Sequence, residues 1–169
     1  MRYLVLIAAL LAASRVSAHV TLQGREAAVG ADYRAVFVVP HGCAGSPTIK
    51  LRVQIPPGVI ATEAKPVAGW NVGTVKGKYA ATYDYKGAKV SEGITEVDWS
   101  GGILPDKTRQ EFEIETYLTD SLKPGSTLYF PAVQECEQGV SRWIEIPAEG
   151  ASASPESRWP APAVKLTKP

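Results

Sequence analysis

Thr48-Ile49-Lys50-Leu51-Arg52-Val53-Gln54-Ile55 alternates polar and apolar residues at every step. Successive side chains of a strand point to opposite faces, so a period of two predicts a strand with one wet face and one dry face. Glu111-Phe112-Glu113-Ile114-Glu115 repeats the pattern. Residues 33–39 form a β-branched and aromatic run that predicts a strand buried on both sides. Residues 78–85, 94–99, 127–133 and 140–146 are further strand candidates. Between these runs lie Pro56-Pro57-Gly58, Ala68-Gly69, Lys86-Gly87, Gly101-Gly102, Lys123-Pro124-Gly125 and Gln138-Gly139, all turn-forming. Short strands at this spacing, with no convincing amphipathic helix, predict an all-β fold: an antiparallel, immunoglobulin-like β-sandwich. The 13 prolines and 15 glycines agree.

The two ends of the chain differ from this middle. Arg2 is followed by an apolar run over residues 3–13, and Val16-Ser17-Ala18 offers modest side chains to a signal peptidase. The pattern predicts an export signal over residues 1–18, cut after Ala18, and hence a periplasmic protein. The run, of about eleven residues, falls short of the roughly 20 that span a bilayer, and Arg15 interrupts its continuation. No later segment is apolar enough to span a membrane. The sandwich is expected over residues 19–147. Residues 148–169 are rich in Ala, Ser and Pro and are expected to form an irregular tail, with a short edge strand over residues 163–166.

Charge excludes one class of partner. With Arg2 and Arg15 removed, the 18 basic residues fall to 16 against 17 acidic ones, a net of −1. No basic stripe emerges, so nucleic acid is not an expected partner. Enzyme signatures are missing as well. The chain has two histidines, His19 and His41, and lacks a G-x-S-x-G elbow, an HExxH pair and a phosphate-cradling glycine loop. The expectation is a binding protein, with no catalytic residue. The two cysteines, Cys43 and Cys136, read first as a disulfide in an oxidising compartment, with a two-thiolate metal site as the rival. No CxxC pairing is present, and both lie beside glycine-rich turns, which favours the disulfide.

His19 is the unusual residue. Cleavage after Ala18 makes it the N-terminus, where its α-amine and imidazole Nδ1 together chelate one ion in a six-membered ring. Two in-plane nitrogens suit Cu(II), and an α-amine of pKa near 8 opposes binding only slightly at neutral pH. The plainer reading is that cleavage merely exposes a histidine. If residues 20–23 pair antiparallel with residues 33–39 around a turn near Val29-Gly30, residue 19 lies opposite residues 40–41, and His41 approaches His19. A Cys43–Cys136 bridge would bring Glu135 and Glu137 to the same end. His41 reads equally well as a solvated turn residue, and the two glutamates as surface charges. The only methionine is Met1, so no thioether is left to favour Cu(I).

Several motifs coincide with a known family. They are Ala18-His19-Val20, Val39-Pro40 followed by Ser46-Pro47-Thr48, Ile55-Pro56 with Gly58, and Gly69-Trp70. Further on come Thr95-Glu96-Val97-Asp98-Trp99-Ser100-Gly101-Gly102, Phe130-Pro131-Ala132-Val133-Gln134 and Arg142-Trp143. In this order they cover most of the chain after residue 18, and the chain resembles the YcnI-like proteins, exported bacterial domains tied to copper handling. The resemblance implies a β-sandwich that binds Cu(II) through a single N-terminal histidine, completed by a carboxylate and a nearby tryptophan. His19 matches directly, and Trp143 is the best match for the tryptophan, with core packing as its alternative role. Trp70 and Trp99 read as core or turn-anchoring aromatics. Many members carry an acidic residue shortly after the Val-Pro, where this chain reads His41-Gly42-Cys43. Either His41 takes that place, or Glu137, Glu135 or Glu96 supplies the oxygen. The resemblance also suggests partners, namely another exported copper chaperone or a membrane copper transporter. Two other readings stand beside this one: a copper-dependent polysaccharide oxygenase using His19 and His41, and a metal-free adhesion or assembly module.

Overall fold

A computed structural model describes residues 19–148 and 157–169; the expected export signal lies outside the described residues. These residues form twelve strands and no helix: β1 (Thr21–Leu22), β2 (Glu26–Ala28), β3 (Ala31–Val39), β4 (Thr48–Gln54), β5 (Val59–Ala64), β6 (Asn71–Tyr85), β7 (Ala88–Leu104), β8 (Gln110–Leu118), β9 (Thr127–Tyr129), β10 (Ala132–Cys136), β11 (Val140–Trp143) and β12 (Ala163–Thr167). One sheet runs β1-β3-β8-β5, a second β11-β10-β4-β7-β6, and a third β2-β12-β9. Every pairing is antiparallel except β12 with β2. The fold is the expected immunoglobulin-like sandwich.

The apolar positions of the alternating stretches supply the core. Phe112 and Ile114 of β8 face Phe37 and Ala35 of β3, all fully buried. Leu51 and Val53 of β4 face Trp99 and Val97 of β7, again fully buried. Trp99 Nε1 donates to the Lys65 carbonyl at 2.9 Å, so the one polar atom of this core indole is satisfied. The half-buried Trp70 sets its ring edge-on to Phe112 at 5.0 Å. It lies so close to the β7 backbone that a Cβ on Gly102 would meet the indole at 2.3 Å, which accounts for a glycine there.

The opening stretch departs from strict alternation at its start. Pairing of β4 shifts register between Thr48 and Lys50, and the β10 partner skips Ile49 as well. This bulge turns the polar Thr48 inward, where it is fully buried, and leaves Ile49 half-buried. Thr48 is tolerated inside because its hydroxyl accepts a 2.7 Å hydrogen bond from Gln134 Nε2.

The β6–β7 hairpin is longer at both ends than the expected strands over residues 78–85 and 94–99. Its two-residue turn is Lys86-Gly87, with φ of 50° and 81°, the double-positive geometry that matches strand twist. Much of its outer half is exposed on both faces, so no apolar rhythm announces it; hairpin backbone pairing carries it. Strand β5 was not expected either. Ala61, at φ 51°, sits in a register shift that interrupts its alternation.

The C-terminal segment corrects the expected boundary. Residues 163–167 are not an edge strand on a tail: β12 is the central strand of the third sheet, with Val164 and Leu166 buried in the main core. Burying those two side chains is a sizeable apolar gain, and the strand's backbone is paired on both sides. The sandwich therefore includes the chain's end. No helix of the described residues is long and apolar enough to cross a membrane.

Candidate metal centre

His19 is the first described residue, two residues before β1. Thr21 pairs with Val38 and Leu22 with Phe37. Carried two residues further, this register sets His19 beside Pro40, next to His41. Val20 is buried in the core and anchors the start of the chain. The His19 imidazole lies 5.4 Å from the Trp143 ring, at an interplanar angle of 63°. Trp143 itself is buried at 3 % exposure, and its ring also packs against Trp159, 4.9 Å away.

What holds Trp143 is a buried amide. Gln134 is 1 % exposed on β10, on the inward face shared by β11. Its Oε1 accepts the indole N–H of Trp143 at 3.0 Å. Its Nε2 donates to the His41 carbonyl at 2.8 Å and to Thr48 at 2.7 Å. Both amide hydrogens and the carbonyl are thus used, a fully satisfied buried group. In the sequence Gln134 stands only as the last residue of the Phe130-Pro131-Ala132-Val133-Gln134 motif. No periodicity marks a buried glutamine as a positioning residue, and its role appears only once three distant partners meet on it.

The other predicted site residues have contacts of their own. His41 uses Nδ1 against the Gly42 carbonyl of its own loop, and its backbone carbonyl is the group tied to Gln134. Glu135, next to the inward Gln134, lies on the opposite face of β10 and pairs with Arg52 Nε at 3.0 Å. Glu137 is exposed beyond β10, where its N–H donates to the Pro47 carbonyl. Glu96 neighbours the fully buried Val97 and so points to the outer face, where it lines a hollow of about 80 Å³ with Arg52, Gln54 and Ile144. Among the described residues no group of three or more His, Cys, Asp or Glu side chains could hold a metal ion. What His19 by itself offers a metal is a chelate from one residue, its imidazole and α-amine, and the amine becomes free only if the chain is cut before it.

Cys43 and Cys136 form a disulfide with Cα atoms 6.0 Å apart. It ties the loop carrying His41 to the strand carrying Gln134. It also leaves no thiolate among the described residues.

A β-sandwich with a tryptophan-backed histidine at the head of its first strand defines an immunoglobulin-like domain whose candidate site is its own N-terminal end. The chain belongs to the family described as Domain of unknown function (DUF1775), whose model matches residues 19–166. That span starts at His19 and reaches Leu166 in β12. It is also similar, at 25% identity and a TM-score of 0.64, to an uncharacterized protein from Nocardia farcinica whose crystal structure reveals an immunoglobulin-like fold; the match covers 89% of this chain and 99% of that one. No curated protein matches the chain.

Proposed function

We propose that, after cleavage following Ala18, this protein is a periplasmic Cu(II)-binding protein, a chaperone or buffer and not an enzyme. The observation that carries the reading is the His19 imidazole set edge-on to a Trp143 indole that Gln134 pins in place. A metal-ligating ring whose orientation is fixed by a second layer of contacts binds more tightly than a free one. Amine and imidazole of His19 supply two nitrogens in one plane, the arrangement Cu(II) favours. With Cys43 and Cys136 joined, soft donors for Cu(I) are missing from the described residues. Remaining positions on the ion fall to water or to a group from a partner, which suits a protein that passes its cargo on. The oxygenase reading would need both imidazoles on one ion; with His41 Nδ1 on the Gly42 carbonyl, Nε2 is the atom that His41 would offer.

The test is a Cu(II) titration of the exported protein with electron paramagnetic resonance, beside His19→Ala and beside a chain carrying one extra residue before His19. A one-to-one site with nitrogen couplings, lost in both controls, is expected. Binding that persists in both controls would remove the copper reading.

A further inference from the structure

The Trp143 indole has two aromatic neighbours. One is the His19 imidazole at 5.4 Å; the other is Trp159, whose ring lies 4.9 Å away at an interplanar angle of 60°. Trp159 is 38 % exposed, so it packs on the buried indole while part of it meets solvent. Its place is fixed by backbone pairing. The Glu145 N–H donates to the Trp159 carbonyl at 3.0 Å, and the Ala161 N–H donates to the Glu145 carbonyl at 2.9 Å. Phe130 N–H donates to the Pro162 carbonyl at 2.8 Å, and the Ser157 hydroxyl donates to a Glu145 carboxylate oxygen. Within Trp159-Pro160-Ala161-Pro162 each proline locks its own φ and holds the residue before it extended, so the backbone that carries the Trp159 ring is stiff. The same stretch runs past His19: residues 160–163 line a hollow of about 560 Å³ together with it.

We infer that Trp159 is a positioning residue of the N-terminal centre, the outer member of an aromatic column Trp159–Trp143–His19 through which the C-terminal strap sets the orientation of the His19 imidazole. Gln134 fixes the Trp143 indole at a single atom, its N–H, and one hydrogen bond leaves the ring free to tilt about that point. A ring packed on the indole acts over an area and removes the tilt. Trp159 supplies no ligand of its own, because an indole N–H is a donor only. Its effect is to lower the ordering cost that His19 meets when its imidazole is engaged. That the oriented imidazole holds a metal rests on the function proposed above; that Trp159 orients it does not.

The experiment compares the exported protein with Trp159→Phe, which keeps a ring on Trp143, and Trp159→Leu, which keeps apolar cover without one. In metal-free protein, NMR cross-relaxation between the His19 ring protons and the Trp143 indole is expected to weaken in Trp159→Leu and to persist in Trp159→Phe. In a Cu(II) competition titration, Trp159→Leu is expected to bind about threefold to tenfold more weakly, the range one aromatic pair is worth, and Trp159→Phe to stay within about twofold of the parent. Chemical denaturation of both variants accompanies these measurements. Leu and Phe variants that behave alike would reduce Trp159 to packing and overturn the inference. So would an unchanged His19–Trp143 contact in Trp159→Leu, or a Trp159→Leu protein that does not fold. Weakened His19–Trp143 contact in Trp159→Leu, with no copper bound by the parent, would keep the positioning role and remove the metal.

Discussion

The indole N–H of Trp143 donates to Gln134 Oε1 at 3.0 Å, nine residues back along the chain and on the neighbouring strand. The same indole backs His19, so the orientation of the first described residue is set by an amide that never touches it. Removing Gln134 should therefore be felt at the N-terminus.

In Gln134→Leu, the indole N–H, the His41 carbonyl and the Thr48 hydroxyl all lose their buried partner. The loss is expected to cost about 2–4 kcal/mol of stability. Chemical denaturation read by tryptophan emission checks it, and Cu(II) affinity should fall with it. Stability unchanged from the parent would show that water replaces the amide.

Trp143→Phe keeps an aromatic ring beside His19 but strands Gln134 Oε1. Cu(II) affinity is expected to fall by about tenfold, within the range for groups that orient a ligand. His19→Ala should lose far more. Competition titration against a chelator of known affinity separates the two, and equal losses would contradict the ranking.

Binding through an α-amine carries a proton cost. The amine must lose its proton, so affinity should rise with pH up to about 8 and level off above it. A chain with one extra residue before His19 should lack this dependence. Isothermal titration in buffers of different ionisation enthalpy counts the protons released.

Reduction of the Cys43–Cys136 bridge removes a cross-link of sequence separation 93. The double variant Cys43→Ser/Cys136→Ser is expected to lose roughly 4–5 kcal/mol by the chain-entropy model. It should also loosen the His41 loop that Gln134 engages. Urea midpoints of oxidised and substituted proteins measure the first effect, and hydrogen exchange at Gly42 the second.

Tyr33 sits against Phe130 with its hydroxyl buried and without a hydrogen-bond partner among the described residues. Burial pushes its pKa up to about 12. Between about 10 and 12 the unfolded chain has released this proton while the folded one retains it, so stability falls as pH rises through that window. Tyr33→Phe removes the unpaired hydroxyl and should raise stability by up to about 1 kcal/mol while flattening the alkaline decline. Denaturation midpoints at pH 8 and 11 compare the two proteins.

Much of this molecule is legible in one dimension. Alternation in residues 50–55 and 111–115 places Leu51, Val53, Phe112 and Ile114 inside, because a strand's period is a local property of its backbone. Lys86-Gly87 marks its turn because few residue pairs accept two positive φ angles. His19 stands out as a possible terminal chelator because its chemistry lies in one residue and one cleavage. Tertiary structure decided the rest. Alternation says that Gln134 and Glu135 face opposite ways; pairing with β4 and β11 decides that Gln134 turns inward to Trp143 and Glu135 outward to Arg52. The bulge at Ile49, the central place of β12 and the pairing of Glu135 with Arg52 all depend on contacts between residues far apart in sequence. Such contacts are chosen by which faces bury the most apolar surface together, a sum over the whole chain that no single stretch contains.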